Sequence, residues 1–357
     1  MSRYRKPSIE QGFGYEPGEQ APDGSWAKLN SNESPIDPSP LAIKALVDYS
    51  GQLRRYPNPL GEPLRSAVAE YHEVEPSQVV IGAGADQILG WCFRAFADPA
   101  DVVLLTKPTY AYLPMLAKLA SVRVVTTEMS RSGFAPPEFG TRPGRLRFIV
   151  NPNALTGTWL PPEEIETILR PAEGVVVVDE AYADFALNSC ISVLRRHPNW
   201  LVVRTFPKSY PLAGLRVGYA IGDPDLIEDL VAVKDPSPVG QLGISAATAA
   251  LQDEAHHRGI VDLVRRERRR VTEGLRKLGW EVGDSHANFI LGHPPSGVSQ
   301  DMVAQLRRSR VLVRRFPPSL SEDWIRITIG SNRENDQLLA SAGLPVGREP
   351  RYLPILE

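Results

Sequence analysis

Seven short apolar runs constrain this chain more than any other feature: Val79–Ile81, Val102–Leu105, Val122–Val125, Leu146–Val150, Val175–Val178, Leu201–Val203 and Val217–Ile221. They are rich in β-branched side chains and show no in–out alternation. That is the pattern of strands buried on both faces. Helical or loop stretches lie between several of them, as parallel strands require. The expected fold class is therefore α/β, with a mostly parallel central sheet covered on both sides. In such sheets ligands bind beyond the carboxyl ends of the strands.

The flanking segments suggest three parts. Residues 1–29 are rich in Gly, Pro and polar residues and are expected to form an arm packed on a small domain or on the active site. Residues 30–245 hold the seven runs and form the large domain. Within it Ser39–Pro40 has the capping residue and N1 proline of a helix start, and a second helix is expected over Glu62–Tyr71. Residues 246–357 change pattern to a long helix over 256–278, strand-like pieces and a helix opened by Ser331 or Asn332, an α+β unit read as a small C-terminal domain.

Composition excludes several classes of partner. A net charge of −2 gives no electrostatic reason to expect nucleic acid or an anionic membrane. The basic run Arg265–Arg270 lies in a helical pattern and is expected to be its solvated face. No apolar run approaches the roughly 18 residues that would span a membrane. The basic start Met1–Lys6 is not followed by the apolar core of a secretory signal. Two cysteines, Cys92 and Cys190, offer neither a disulfide framework nor a metal knuckle, and a cytoplasmic location is expected. No metal site is expected, since the adjacent His256 and His257 would point away from each other on a helix.

Several strand ends carry residues suited to chemistry. Val79–Ile81 leads into Gly82-Ala83-Gly84-Ala85-Asp86, a small-residue turn and helix start whose N–H groups could bind a phosphate or simply make a tight turn. Val175–Val178 delivers Asp179, a carboxylate that is costly at a buried strand end unless a cation meets it. Lys208 follows Leu201–Val203, among Thr205, Ser209 and Tyr210, with Arg216 eight residues on. A desolvated lysine there could be a nucleophile; alone, it could equally be a solvated charge.

Taken in order, these motifs resemble the fold-type-I pyridoxal-phosphate enzymes, and within them the class I/II aminotransferases of the histidinol-phosphate aminotransferase-like group. The resemblance runs over nearly the whole chain, through Leu29-Asn30-Ser31-Asn32-Glu33-Ser34-Pro35, Arg55-Tyr56-Pro57, Pro108-Thr109-Tyr110, Asn151–Gly157, Asp179–Tyr182, Lys208, Arg216 and Arg326–Gly330. It implies pyridoxal 5'-phosphate as cofactor and a homodimer, acting on an amino acid or amino-phosphate through an external aldimine and a quinonoid. By the same resemblance Lys208 forms the Schiff base and moves the proton, Asp179 holds the pyridine nitrogen, and Tyr182 donates to the phenolate oxygen. Tyr110 stacks on the ring. Ala85, Asp86, Thr205, Ser209, Arg216 and the second subunit's Tyr56 serve the phosphate. Arg326, with Arg314, Tyr15 and Asn32, faces the substrate.

Four positions depart from the family pattern. The usual Asn-Asn-Pro-Thr-Gly is Asn153-Ala154-Leu155-Thr156-Gly157, leaving Asn153 as the candidate for the phenolate. Pro207 replaces the hydroxyl residue before the lysine, with Thr205 or Ser209 to compensate. Pro211 replaces a glycine, and Pro236-Ser237-Pro238 replaces an aromatic-plus-Asn segment. Transamination is the leading expectation. A cyclase, lyase or decarboxylase, for example on an arginine-like substrate, is the alternative, because the altered positions surround the substrate. A non-catalytic regulator on the same scaffold is a third reading. Such regulators carry a DNA-binding domain before the scaffold, and fewer than 30 residues precede Asn30 here.

Overall fold

The computed structural model describes residues 2, 4–5, 9, 14–49, 51, 53–130, 135–295, 299–316 and 323–343. Part of the arm expected over 1–29 therefore lies outside the described residues, as does the chain beyond 343. Strand β1 (Ala27–Leu29) comes first, then helices α1 (Pro40–Tyr49) and α2 (Leu64–Tyr71). α1 begins where Ser39–Pro40 predicts, with Ser39 Oγ accepting from the Leu41 N–H at 3.1 Å.

The seven apolar runs become seven strands of one sheet. β2 (Val79–Gly82) leads to α3 (Ala85–Phe96), β3 (Val102–Lys107) to α4 (Tyr112–Ala120), and β4 (Arg123–Glu128) to α5 (Glu138–Thr141). β5 (Leu146–Val150) leads to α6 (Pro162–Leu169), and β6 (Val175–Asp179), β7 (Trp200–Thr205) and β8 (Gly218–Gly222) complete the set. Their order is β2-β8-β7-β6-β5-β3-β4. Only β8 runs against its neighbours; the remaining pairs are parallel. The edge strand β4 is mostly exposed, with Thr127 its one buried residue, whereas in the inner strands the absence of alternation has its expected cause, as Val176, Val177 and Val178 are all fully buried. Each such side chain contributes roughly 1.5–3 kcal/mol. One face packs on Trp91, Phe93 and Leu113, the other on Phe139, Ile165 and Leu169.

Helices α7 (Pro224–Val233) and α8 (Gln241–Gln252) follow, and α8 packs on α1 and α2. The boundary placed at residue 245 thus falls inside a helix that packs with the seven-stranded unit. Next come α9 (Glu254–Lys277), β9 (Glu281–Val282), β10 (Phe289–His293), α10 (Ser299–Arg308), β11 (Val311–Arg315), β12 (Ile325–Thr328) and α11 (Asn332–Ala342). Their strands form a second sheet of order β1-β11-β12-β10-β9, with β1 parallel to β11. Ser331 caps α11 in a reciprocal box with Glu334, as its position suggests.

The basic run on α9 is a solvated face only in part: Arg266 and Arg269 are exposed, but the rest of the run is engaged. Arg265 donates to the carbonyls of Asp184, Phe185 and Ala186, Arg268 donates to that of Ala287, and Glu267 is buried between Arg270 and Asn335. Positions three apart share a helix face, so this run turns donors toward the neighbouring loops. Among the described residues no helix is long and apolar enough to cross a membrane.

Candidate active site

Sheet register assembles the site. Gly82 of β2 and Thr205 of β7 both pair with Gly218 of β8, so the turn into α3 and the segment carrying Lys208 lie side by side. β6 is next, with Asp179 opposite Val203 on one side and Val150 on the other. Beyond these ends lies a cavity of about 360 Å³. Lys208, Asp179, Tyr182 and Thr205 line its floor, and Ala85, Asp86, Arg216 and Tyr110 also face it. Asn32 and Tyr15 from the N-terminal segment, and Arg314 and Arg326 from the second sheet, complete the wall.

Lys208 makes no hydrogen bond or ion pair among the described residues, and its Nζ lies 5.8 Å from the Tyr182 ring centre. Burial, then the nearby Arg326 charge, pulls its ammonium down to about 8, against the opposing pull of Asp86. A larger share of free amine near neutral pH follows, which a nucleophilic lysine needs. Asp179 is 3% exposed and accepts one hydrogen bond, from the Ala181 N–H at 3.0 Å. Burial pushes its carboxyl up to about 7, because Lys208 offsets desolvation only in small part.

The start of α3 is built for an anion. Its cap is Gly84, at φ +81°, and no side chain caps the helix. A Cβ on Gly218 would stand 2.7 Å from Gly84 C and 2.8 Å from Ala85 N, so only glycine lets β8 approach this turn. Arg216 reaches the same place and bonds Asp86 Oδ2 at 2.8 Å, while the Tyr110 hydroxyl donates to Asp86 Oδ1 at 3.0 Å. The Arg216–Asp86 pair is about half exposed and contributes no more than about 1 kcal/mol. Arg216 can exchange it for a phosphate at small cost.

Arg326 faces the cavity from β12. Its Nη1 donates to the Ala154 carbonyl at 2.9 Å, its guanidinium lies 5.1 Å from the Phe289 ring centre, and its buried Nε has no acceptor among the described residues. Arg314 forks onto the carbonyls of Glu16 and Pro17, holding the segment that carries Tyr15. Tyr15 packs 6.4 Å from Tyr110, centre to centre.

Several expected residues do something else. Asn153 does not line the cavity: its Nδ2 donates to the Pro108 carbonyl, and its Oδ1 accepts from the N–H groups of Leu155 and Thr156. The tight loop consumes the whole amide, and Ala154, with no donor, takes its place at the cavity wall. Ser209 is fully buried and donates to Asp184 rather than facing a phosphate. Thr205 keeps its place, with its hydroxyl directed to the Val217 carbonyl at 3.3 Å. Asn32, expected to face substrate, spends its side chain on Tyr182 and Thr328. Tyr56, expected to serve the other subunit's phosphate, is 94% exposed and does not line this chain's own cavity. Pro211 sits at φ +23°, far from the range its ring prefers, in the place of the usual glycine.

One supporting cluster went unread in the sequence. Arg204 in β7 bonds Glu180 at 3.0 Å and also Asp184, which in turn holds Ser209. The signal was an arginine inside an otherwise apolar strand, which demands buried carboxylates.

The residues fit pyridoxal 5'-phosphate. Among the described residues Asp179 is a buried carboxylate with no hydrogen-bonded cation and Lys208 is an unpaired amine, and the uncapped α3 start with Arg216 could cradle an anion. Bound there, the cofactor supplies an electron sink for the carbon that loses its proton. Lys208 can hold or move that proton, and Asp179 can keep the ring nitrogen protonated. The family model "Aminotransferase class I and II" matches residues 25–342. The chain is 37% identical over 342 residues to histidinol-phosphate aminotransferase 1 of a Nostoc species, covering 95% of this chain and 97% of that protein. It is likewise 37% identical to histidinol-phosphate aminotransferase 1 of Pseudomonas aeruginosa, covering 95% and 98%. Its fold matches the structure of histidinol-phosphate aminotransferase from Sinorhizobium meliloti in complex with pyridoxal-5'-phosphate, with a TM-score of 0.87 over 96% of this chain and 97% of that one, at 23% identity. The chain therefore belongs to the class I and II aminotransferases, and is a pyridoxal-phosphate-dependent enzyme of that family.

Proposed function

We propose that this enzyme transfers the amino group of an amino-alcohol phosphate of the histidinol phosphate type to a 2-oxo acid. The observation that carries the substrate class is Arg326, whose buried Nε has no acceptor among the described residues and which faces a cavity shared with Arg314. A guanidinium so placed favours a phosphate or carboxylate. The named relatives in Nostoc and Pseudomonas aeruginosa support the phosphate. Lys208, Asp179 and Tyr182 are assigned to catalysis. Ala85, Asp86, Thr205 and Arg216 are assigned to the cofactor, with Tyr110 against its ring. The exposed Tyr56 is assigned to the neighbouring site of a homodimer. Two buried free thiols, Cys92 and Cys190, support a reducing cytoplasm.

Competition kinetics test the substrate. L-histidinol phosphate should give a kcat/KM at least about tenfold above histidinol and the neutral amino acids, as a charge-assisted contact of 1.5–3 kcal/mol implies. Arg326→Lys should erase most of that preference. Equal use of histidinol and its phosphate contradicts the assignment.

A further inference from the structure

The Tyr182 hydroxyl is part of a chain of hydrogen bonds whose direction can be worked out from one fixed donor. The backbone N–H of Asn32 can only donate, and it bonds Thr328 Oγ1 at 3.0 Å. The Thr328 hydroxyl accepts there, and the one acceptor its own proton meets among the described residues is Asn32 Oδ1, at 3.1 Å. That fixes the orientation of the Asn32 amide. Its Nδ2 then faces Tyr182 Oη at 3.0 Å and donates to it. Tyr182 is left with its proton free, since no acceptor for it exists among the described residues, and the cavity is beside it.

The chain is buried and held at both ends. Asn32 is 1% exposed and Thr328 2% exposed. Asn288 Nδ2 donates to the Asn32 carbonyl at 3.0 Å, and Asn32 holds φ +54°, a conformation asparagine tolerates better than most residues. Three distant segments thus meet: the one after β1, the end of β12 and the turn after β6. The charged groups acting on Tyr182 are Arg326, Asp179 and Asp86, with Lys208 over its ring.

We infer that Asn32 and Thr328 are positioning residues that force Tyr182 to act as a hydrogen-bond donor into the cavity. The assignment rests on the reading of Tyr182 as the partner of the cofactor's ring oxygen. It matters more in this chain than its family pattern suggests. Asn153 is consumed by its own loop and Ala154 has no donor, so Tyr182 serves that edge without their help. A donor to a phenolate oxygen favours the anion and so lowers the proton affinity of the conjugated lysine nitrogen.

The test is a pH titration of the visible absorption band of the pyridoxal-phosphate-loaded protein, with no substrate present, together with cofactor retention on dialysis. Thr328→Val removes the relay without adding charge and should raise the midpoint by about half to one pH unit. Thr328→Ser should restore it. Asn32→Asp, which turns Tyr182 back toward a carboxylate, should raise it further and weaken retention. Tyr182→Phe sets the maximal shift. If Tyr182→Phe moves the midpoint and both Thr328→Val and Asn32→Asp leave it in place, the relay is refuted. If Tyr182→Phe itself changes nothing, the donor role is refuted with it. Because no substrate is added, neither result depends on the proposed amino-phosphate specificity.

Discussion

Asp179 and Lys208 owe their chemistry to where the sheet leaves them. An ionised Asp179 with no hydrogen-bonded cation among the described residues is held in an unfavourable place, with its carboxyl pushed by burial from 3.8 up to about 7. The sign of the effect on stability follows. Below 3.8 folded and unfolded chains both carry the proton; as pH rises toward about 7 only the unfolded chain loses it, and the folded cofactor-free protein is progressively destabilised. Thermal denaturation of the cofactor-free protein should show this loss, and Asp179→Asn should flatten it while abolishing turnover. Lys208→Ala should lower turnover by about 10²–10⁴-fold or more, with the lysine-linked visible band gone. A variant retaining full activity would remove Lys208 from the mechanism. Their placement at the cavity is legible in the sequence because Asp179 ends an apolar run and Lys208 lies shortly past another. Ser209 and Asn153 were misread because a hydroxyl or amide beside a catalytic position can bond in any direction. Asp184 and the Asn153 loop backbone took them, and neither choice is visible without the tertiary neighbours.

At the scale of elements, the strand ends carried the information and the helix faces hid it. The missing alternation in β2, β3 and β5–β8 reflects burial on both sides, which places the Gly82–Asp86 turn, Asp179 and Lys208 at one edge. On α9 the expectation holds for the exposed Arg266 and Arg269 and not for their neighbours. Six charged residues in a row suggested solvent, yet Arg265 and Arg268 bond loop carbonyls, and Glu267 is 3% exposed. Charge in sequence does not tell which acceptors a neighbouring loop will present. The contact between β8 and α3 offers an element-scale test. Gly218→Ala would place a methyl 2.7 Å from Gly84 C, and backbone at that distance must move. The variant should bind cofactor at least about tenfold more weakly, a cost of 1.4 kcal/mol or more, measured by titrating cofactor into the cofactor-free protein. Undiminished affinity would mean that the turn is not the phosphate cradle.

Across the whole molecule, the two sheets share one site because buried polar groups tie them together. Arg204, Glu180, Asp184 and Ser209, the residue after Lys208, form a buried polar cluster, and Arg265 of α9 bonds carbonyls of the Asp184–Ala186 turn. Asp184→Ala leaves Arg204 short of a buried partner and should cost about 3–5 kcal/mol of unfolding free energy by denaturant titration. A loss under 1 kcal/mol would show the cluster to be dispensable. Arg326 and Arg314 bring the second sheet's charge to the cavity opened by the first, which is the basis for assigning an anionic substrate. The chemistry expected of this cavity is the first half of a transamination. It is tested most directly by mixing the pyridoxal-phosphate-loaded enzyme with L-histidinol phosphate in the absence of any 2-oxo acid and following the visible spectrum through one turnover. Stoichiometric loss of the lysine-linked band, with one equivalent each of the pyridoxamine form and the keto phosphate, is the expected result. Repeated product formation with the original band restored and no second substrate would contradict it.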